Sequence, residues 1–127
     1  MLLLPASVRV YLCVEPTDMR KGFDSLAGIV RERFGDDPLS GHLFLFASKR
    51  ADRLKILWWD RDGFVIWCKR LERGTFRVPA DLRAPRDESR DGARIELPRR
   101  ELAMLLEGLD RKDLRFSRRF SGASSSP

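Results

Sequence analysis

Hydrophobic and polar positions change period several times along the chain, and each change marks an element. Val8-Arg9-Val10-Tyr11-Leu12-Cys13-Val14 is β-rich with partial alternation, closed by Glu15-Pro16, where proline ends a hydrogen-bonded ladder. Thr17 then occupies an N-cap position with Asp18 in the first turn, and Met19, Phe23, Leu26, Ala27, Val30 and Phe34 recur at helical spacing. This predicts an amphipathic helix of about four turns. Gly35-Asp36-Asp37-Pro38-Leu39-Ser40-Gly41 stops it and makes a loop.

Three strands are expected next: His42 to Ser48, Arg53 to Asp60, and Phe64 to Arg70, the last two joined by Arg61-Asp62-Gly63. Asp-Gly is a strong hairpin signal. A two-residue turn at Asp62-Gly63 would set Trp58 opposite Trp67 on one face and Trp59 opposite Ile66 on the other; a three-residue turn would shift that register by one. Both faces are apolar in either case. Such a sheet needs two covers, one helix on one face and a second helix or another subunit on the other.

Leu71 to Pro79 reads as a further short strand and Ile95-Glu96-Leu97 as a brief one, separated by a charged, mobile surface loop over residues 80 to 94. Pro98 then starts a second helix with a Leu102, Leu105, Leu106, Leu109 stripe closed by Gly108. From Arg111 onward the stripe gives way to arginines and then Ser-Gly-Ala-Ser-Ser-Ser-Pro, which predicts a frayed basic tail. The 127 residues suffice for one domain with its own core.

Charge sharpens this outline. Twenty-five Lys and Arg against nineteen Asp and Glu give +6, and the excess is local. Residues 1 to 48 carry five basic and six acidic side chains, a net −1; residues 49 to 79 carry nine and four, a net +5; residues 80 to 127 carry eleven and nine, a net +2. The positive block coincides with the tryptophan-rich hairpin, as a localised phosphate-facing surface would. An arginine-rich soluble surface without a ligand accounts for the count equally well. Likewise each tryptophan of the block fits core packing at least as well as base stacking.

Chemistry of other kinds finds little support. His42 is the only histidine, no nucleophile-elbow motif accompanies it, and it fits a strand-edge residue satisfied by backbone or water. Cys13 and Cys68 fall in apolar runs without C-x-x-C spacing and read as buried free thiols in a reducing compartment. Asp18, Asp24, Asp60 and Asp62 could together hold Mg²⁺ for phosphodiester cleavage, although helix start, turn and strand end each explain one of them. No glycine-rich phosphate cradle is present, and helix one is followed by strands in place of a recognition helix. Met1 to Pro5 is too short for a signal peptide and no run approaches a membrane span, so a cytoplasmic protein with no membrane partner is expected.

Five blocks in order complete the picture: Thr17-Asp18-Met19-Arg20-Lys21-Gly22-Phe23-Asp24; Ser40-Gly41-His42-Leu43-Phe44; Asp52-Arg53-Leu54-Lys55-Ile56-Leu57-Trp58-Trp59-Asp60; Lys69-Arg70-Leu71-Glu72-Arg73-Gly74; and Glu101 to Asp110. Together they closely resemble the TnpB-type accessory protein, the second open-reading-frame product of bacterial insertion sequences of the sixty-six family. The resemblance covers roughly residues 8 to 110. It implies a role in transposition beside a separate transposase that carries the strand-transfer chemistry; it does not imply a known biochemical activity. The arginine-rich ending after Asp110 and the charged loop from Asp81 to Arg94 depart from the pattern.

The chain is therefore expected to be an α+β domain over residues 1–110, an antiparallel sheet in β-α-β-β-β order with a second helix near the C-terminus, followed by a disordered tail over 111–127. The expected function is a non-enzymatic transposition accessory factor with no catalytic residue, metal or cofactor. Arg20, Lys21, Lys49, Arg50, Arg53, Lys55, Lys69, Arg70 and Arg73 would meet phosphate, with Trp59 for stacking or partner contact. Expected partners are DNA without sequence preference, the transposase of the same element, and a second copy of the chain. The alternatives are an assembly module without DNA contact and a divalent-metal nuclease on Asp18, Asp24 or Asp60.

Overall fold

A computed structural model of the chain describes residues 5–77 and 90–106. Its elements are β1 (Val10–Cys13), α1 (Phe23–Ile29), β2 (Leu43–Ala47), β3 (Arg53–Asp60), β4 (Gly63–Arg70), β5 (Arg94–Glu96) and α2 (Arg99–Leu106). The five strands form one sheet in the order β4-β3-β2-β1-β5. β2, β3 and β4 are antiparallel neighbours, as the hairpin pattern predicts, and β5 is antiparallel to β1. β1 and β2 run parallel, because α1 carries the chain back across the sheet between them. The α+β class, the strand order through β4 and the C-terminal helix agree with the expectation.

Alternation divides the apolar strand residues between two cores. Tyr11, Cys13, Phe44, Phe46 and Leu57 face α1, where they bury Leu26, Ala27, Val30 and Phe34. Val10, Leu12, Leu43, Leu45, Leu54, Ile56 and Ile95 face α2 and bury Leu102, Leu105 and Leu106. The α1 side is aromatic, with Phe34 and Phe46 stacked at 6.0 Å and Tyr11 and Phe44 stacked at 5.8 Å. The α2 side is aliphatic and is completed by buried Phe76 and Leu97. A second helix of the same chain thus supplies the other cover that a two-sided sheet requires.

Several expectations are corrected. α1 begins at Phe23 with Gly22 as its N-cap, not at Thr17. Residues 17–22 are held otherwise: Thr17 N–H donates to the Ala47 carbonyl at 2.8 Å, and Asp18 accepts from the Arg20 N–H at 2.9 Å. After Ile29 the helix widens into a π-type turn, Val30–Phe34, and ends at Gly35 with φ 69°. The hairpin loop is Arg61-Asp62, so Gly63 lies in the strand opposite Asp60. Trp58 consequently faces Val65 and Trp59 faces Phe64. That register differs by two residues from the expected one, which leaves every side chain on its expected face.

Residues 71–77 form no strand; Leu71 N–H and Phe76 N–H instead donate to the Asp52 and Ala51 carbonyls and fold this segment against the β2–β3 connection. Within the expected mobile loop, Arg90–Ala93 form a 3₁₀ turn and Arg94 opens β5. Cys13 is buried, and burial pushes its thiol pKa up, but Cys68 is exposed because β4 lies at the sheet edge. The expected strand end at Val78 and Pro79, the Gly108 helix stop and the basic tail over 111–127 lie outside the described residues.

Candidate nucleic-acid interface

The residues expected to meet phosphate are spread over four segments, and the sheet gathers most of them at one end. Arg53 begins β3 and Arg70 ends β4, directly opposite each other on the α1 face. Lys49 and Arg50 are exposed in the β2–β3 connection, which bends through Ala51 at φ 59°. Arg73 is exposed in the segment that Leu71 and Phe76 tie to that connection. Arg20 and Lys21, expected on the first helical turn, lie in the loop before α1.

These cations fall into three classes by what their side chains touch. Lys55 is half-buried and its ammonium donates to the carbonyls of Met19 and Lys21 at 2.8 and 2.9 Å. It therefore fastens the loop before α1 to β3, and brings Arg20 and Lys21 to the basic end of the sheet. Lys69, also half-buried, donates to the Leu106 carbonyl of α2 at 2.7 Å. Each lysine ties one helix or its approach to the sheet, from opposite faces.

Arg20 and Arg70 form local ion pairs. The Arg20 guanidinium grips Asp18 through Nε and Nη2, which holds the Asp18 carboxyl well below its usual range. The same pairing raises the Arg20 pKa. Arg70 donates from Nε and Nη2 to Glu72 at 3.3 and 3.2 Å, with both side chains well exposed. Lys21, Lys49, Arg50, Arg53 and Arg73 form the third class: their side chains make no ion pair with the described residues.

Trp59 stands apart from this end. It lies six residues beyond Arg53 along β3, roughly 20 Å at strand rise. Half-buried at the hairpin end, it meets Phe64 edge-to-face at 5.1 Å. Trp58 and Trp67 pack against the α2-side core.

Of the residues considered for other chemistry, His42, Asp18 and Asp60 have partners, while Asp24 lies in the first turn of α1 and Asp62 in the hairpin loop. His42 accepts the Arg9 N–H on Nδ1 at 3.0 Å, a strand-edge role as expected. Asp18 is occupied by Arg20, and Asp60 lies 3.9 Å from Arg61. Among the described residues, no three His, Cys, Asp or Glu side chains gather as a metal site. Asp36 and Arg94 had no sequence signal. They are 58 residues apart, yet Arg94 Nε meets Asp36 Oδ2 at 2.6 Å and its guanidinium lies 4.3 Å from the Tyr11 ring centre. Among the described residues, no helix is long and apolar enough to cross a membrane.

Comparison with known proteins places these residues in context. The family described as IS66 Orf2-like protein matches residues 8–116. An uncharacterized protein of Sinorhizobium fredii, y4hO, is 38% identical over 104 residues, covering 82% of this chain and 83% of its own length. A second from the same organism, y4jC, is 33% identical over 103 residues, covering 81% and 80%. No solved structure matches the chain.

Proposed function

The chain belongs to the IS66 Orf2-like family, and from that premise we propose that it is a non-enzymatic accessory factor of transposition that binds DNA through the basic end of its sheet. One observation carries this reading. Arg53 and Arg70 face each other directly across the β3–β4 ladder, with Lys49, Arg50 and Arg73 close by in connected segments. Like charges opposed on adjacent strands are destabilising, and Glu72 offsets only one of them. A phosphate backbone relieves that repulsion from outside.

The working phosphate contacts are then Lys21, Lys49, Arg50, Arg53 and Arg73, with Arg20 and Arg70 exchanging their carboxylates for phosphate. Lys55 and Lys69 act indirectly by holding the framework. Backbone contacts of this kind give affinity without sequence preference. Trp59, at the other end of β3, serves partner contact or stacking away from the phosphate track. The transposase of the same element is the second partner in this reading.

The test is anisotropy of a labelled duplex titrated with protein across a salt series. We expect log K to fall linearly with log salt, and Arg50→Ala and Arg53→Ala each to reduce the slope by about 1. A slope near zero, or no binding at low salt, overturns the DNA contact. The second reading, an assembly module without DNA contact, rests on the half-exposed apolar run Phe64, Val65, Ile66 and Trp67. Capture of the transposase that survives nuclease treatment, with no salt-dependent DNA binding, would favour it.

A further inference from the structure

We infer that β4 is the pairing edge for a second copy of this chain, joining two sheets antiparallel across a two-fold axis near Ile66. β4 ends the strand order and runs for eight residues without interruption, every rung from Arg53–Arg70 to Asp60–Gly63 being in register. Leu71 N–H reaches the Asp52 carbonyl at 2.8 Å, one rung beyond Arg53–Arg70. By the alternation of an antiparallel ladder, odd-numbered residues of β4 then bond to β3. The backbone groups of Phe64, Ile66, Cys68 and Arg70 point outward, and they have no hydrogen-bonded partner among the described residues.

Natural edges of this length are normally blunted by proline, a bulge, or a charge in mid-strand. From Phe64 to Cys68 β4 has none of these. Its one buried-side lysine, Lys69, is turned to the Leu106 carbonyl. Phe64, Val65, Ile66 and Trp67 remain half-exposed along the strand, and Cys68 is exposed.

The distribution of charge selects the occupant. The hairpin end carries Asp60 and Asp62 with Arg61 between them, 3.9 Å from Asp60, and the far end carries Arg70, whose exposed partner Glu72 would give way to the facing Asp62. A parallel copy would bring like ends together. An antiparallel copy with Ile66 opposite Ile66 sets Phe64 against Cys68 and Asp62 against Arg70 of the other chain, twice by symmetry. The patch is thus complementary to itself. The same pairing puts Trp59 of one copy on the same face as, and two rungs along from, the Arg53–Arg70 pair of the other, joining features that lie at opposite ends of one chain.

The experiment is light scattering on the purified full chain, combined with three variants. The wild type is expected at twice the 14.7 kDa chain mass. Cys68→Pro removes an outward N–H at an exposed position, and should give a monomer with unchanged circular dichroism. Asp62→Arg should weaken the dimer about tenfold or more, with Asp62→Arg/Arg70→Asp restoring it to within about threefold. Phe64→Cys, oxidised with copper phenanthroline, should yield a covalent dimer through Cys68. A monomeric wild type overturns the proposal, as does a dimer that ignores both Cys68→Pro and the charge reversal; a strand pair formed only with transposase does so too.

Discussion

Strand β5 closes one edge of the sheet with three residues, and β4 closes the other with eight. At the β5 edge, Arg94 is drawn into a two-point pair with Asp36, both about four-fifths buried, and lies over Tyr11. Arg9 and Glu96 add a pair at 3.3 Å on the surface of the same edge. Among the described residues, the β4 edge has no such guard along its middle, and its charges sit at the ends. One edge spends its arginines on staying closed; the other leaves Arg53 outside any ion pair with the described residues and Arg70 in an exposed one. Edges of one sheet can therefore differ in kind, one held by ion pairs and one without them along its middle among the described residues.

The largest effect should come from opening the sealed edge. Arg94→Ala strands the Asp36 carboxylate in a mostly buried position and removes the cation from Tyr11. We expect a loss of about 2–3 kcal/mol in denaturant unfolding, below the full range for buried pairs because a fifth of each side chain sees solvent. Asp36→Asn/Arg94→Met should recover part of it. A loss under about 0.5 kcal/mol would mean that the β5 edge is not held by this pair.

A smaller effect separates tethers from free cations. Lys69→Met keeps the aliphatic stem but removes the bond to the Leu106 carbonyl, and should lose about 1 kcal/mol without changing the salt slope of DNA binding. Arg53→Ala should do the converse, with stability within about 0.5 kcal/mol and the slope reduced by about 1. If both variants shifted the slope equally, the division into framework and contact residues would fail.

The same division explains what was legible in the sequence. The alternation of residues 53–60 and 64–70, with Asp62-Gly63 between them, located the hairpin, and the two-sided apolar pattern required the second cover that α2 supplies. The helix start was not legible. Thr17 and Asp18 have the local chemistry of a cap, but Lys55, more than thirty residues on, captures the carbonyls of Met19 and Lys21 that a helix from Thr17 would use itself. The basic cluster was legible as a set, whereas its division was not, because Lys55 and Lys69 differ from Lys49 only in what the tertiary fold brings to them. The apolar neighbours of Cys68 predict burial, but its exposure follows from the edge position of β4, which is a property of strand order and not of the strand.

The smallest expected effect tests the hairpin that ends the open edge. Arg61 adopts φ 56°, a left-handed conformation that glycine takes without strain. Its side chain is almost fully exposed and its nearest carboxylate, Asp60, is 3.9 Å away, so little is lost by removing it. Arg61→Gly should therefore raise stability by about 0.5 kcal/mol, relief of strain outweighing the added entropy of the unfolded chain. An equal or larger loss would show that the arginine is held in the strained conformation by contacts worth more than the strain. The open edge would then be guarded at its tip, and the contrast with β5 would be one of degree.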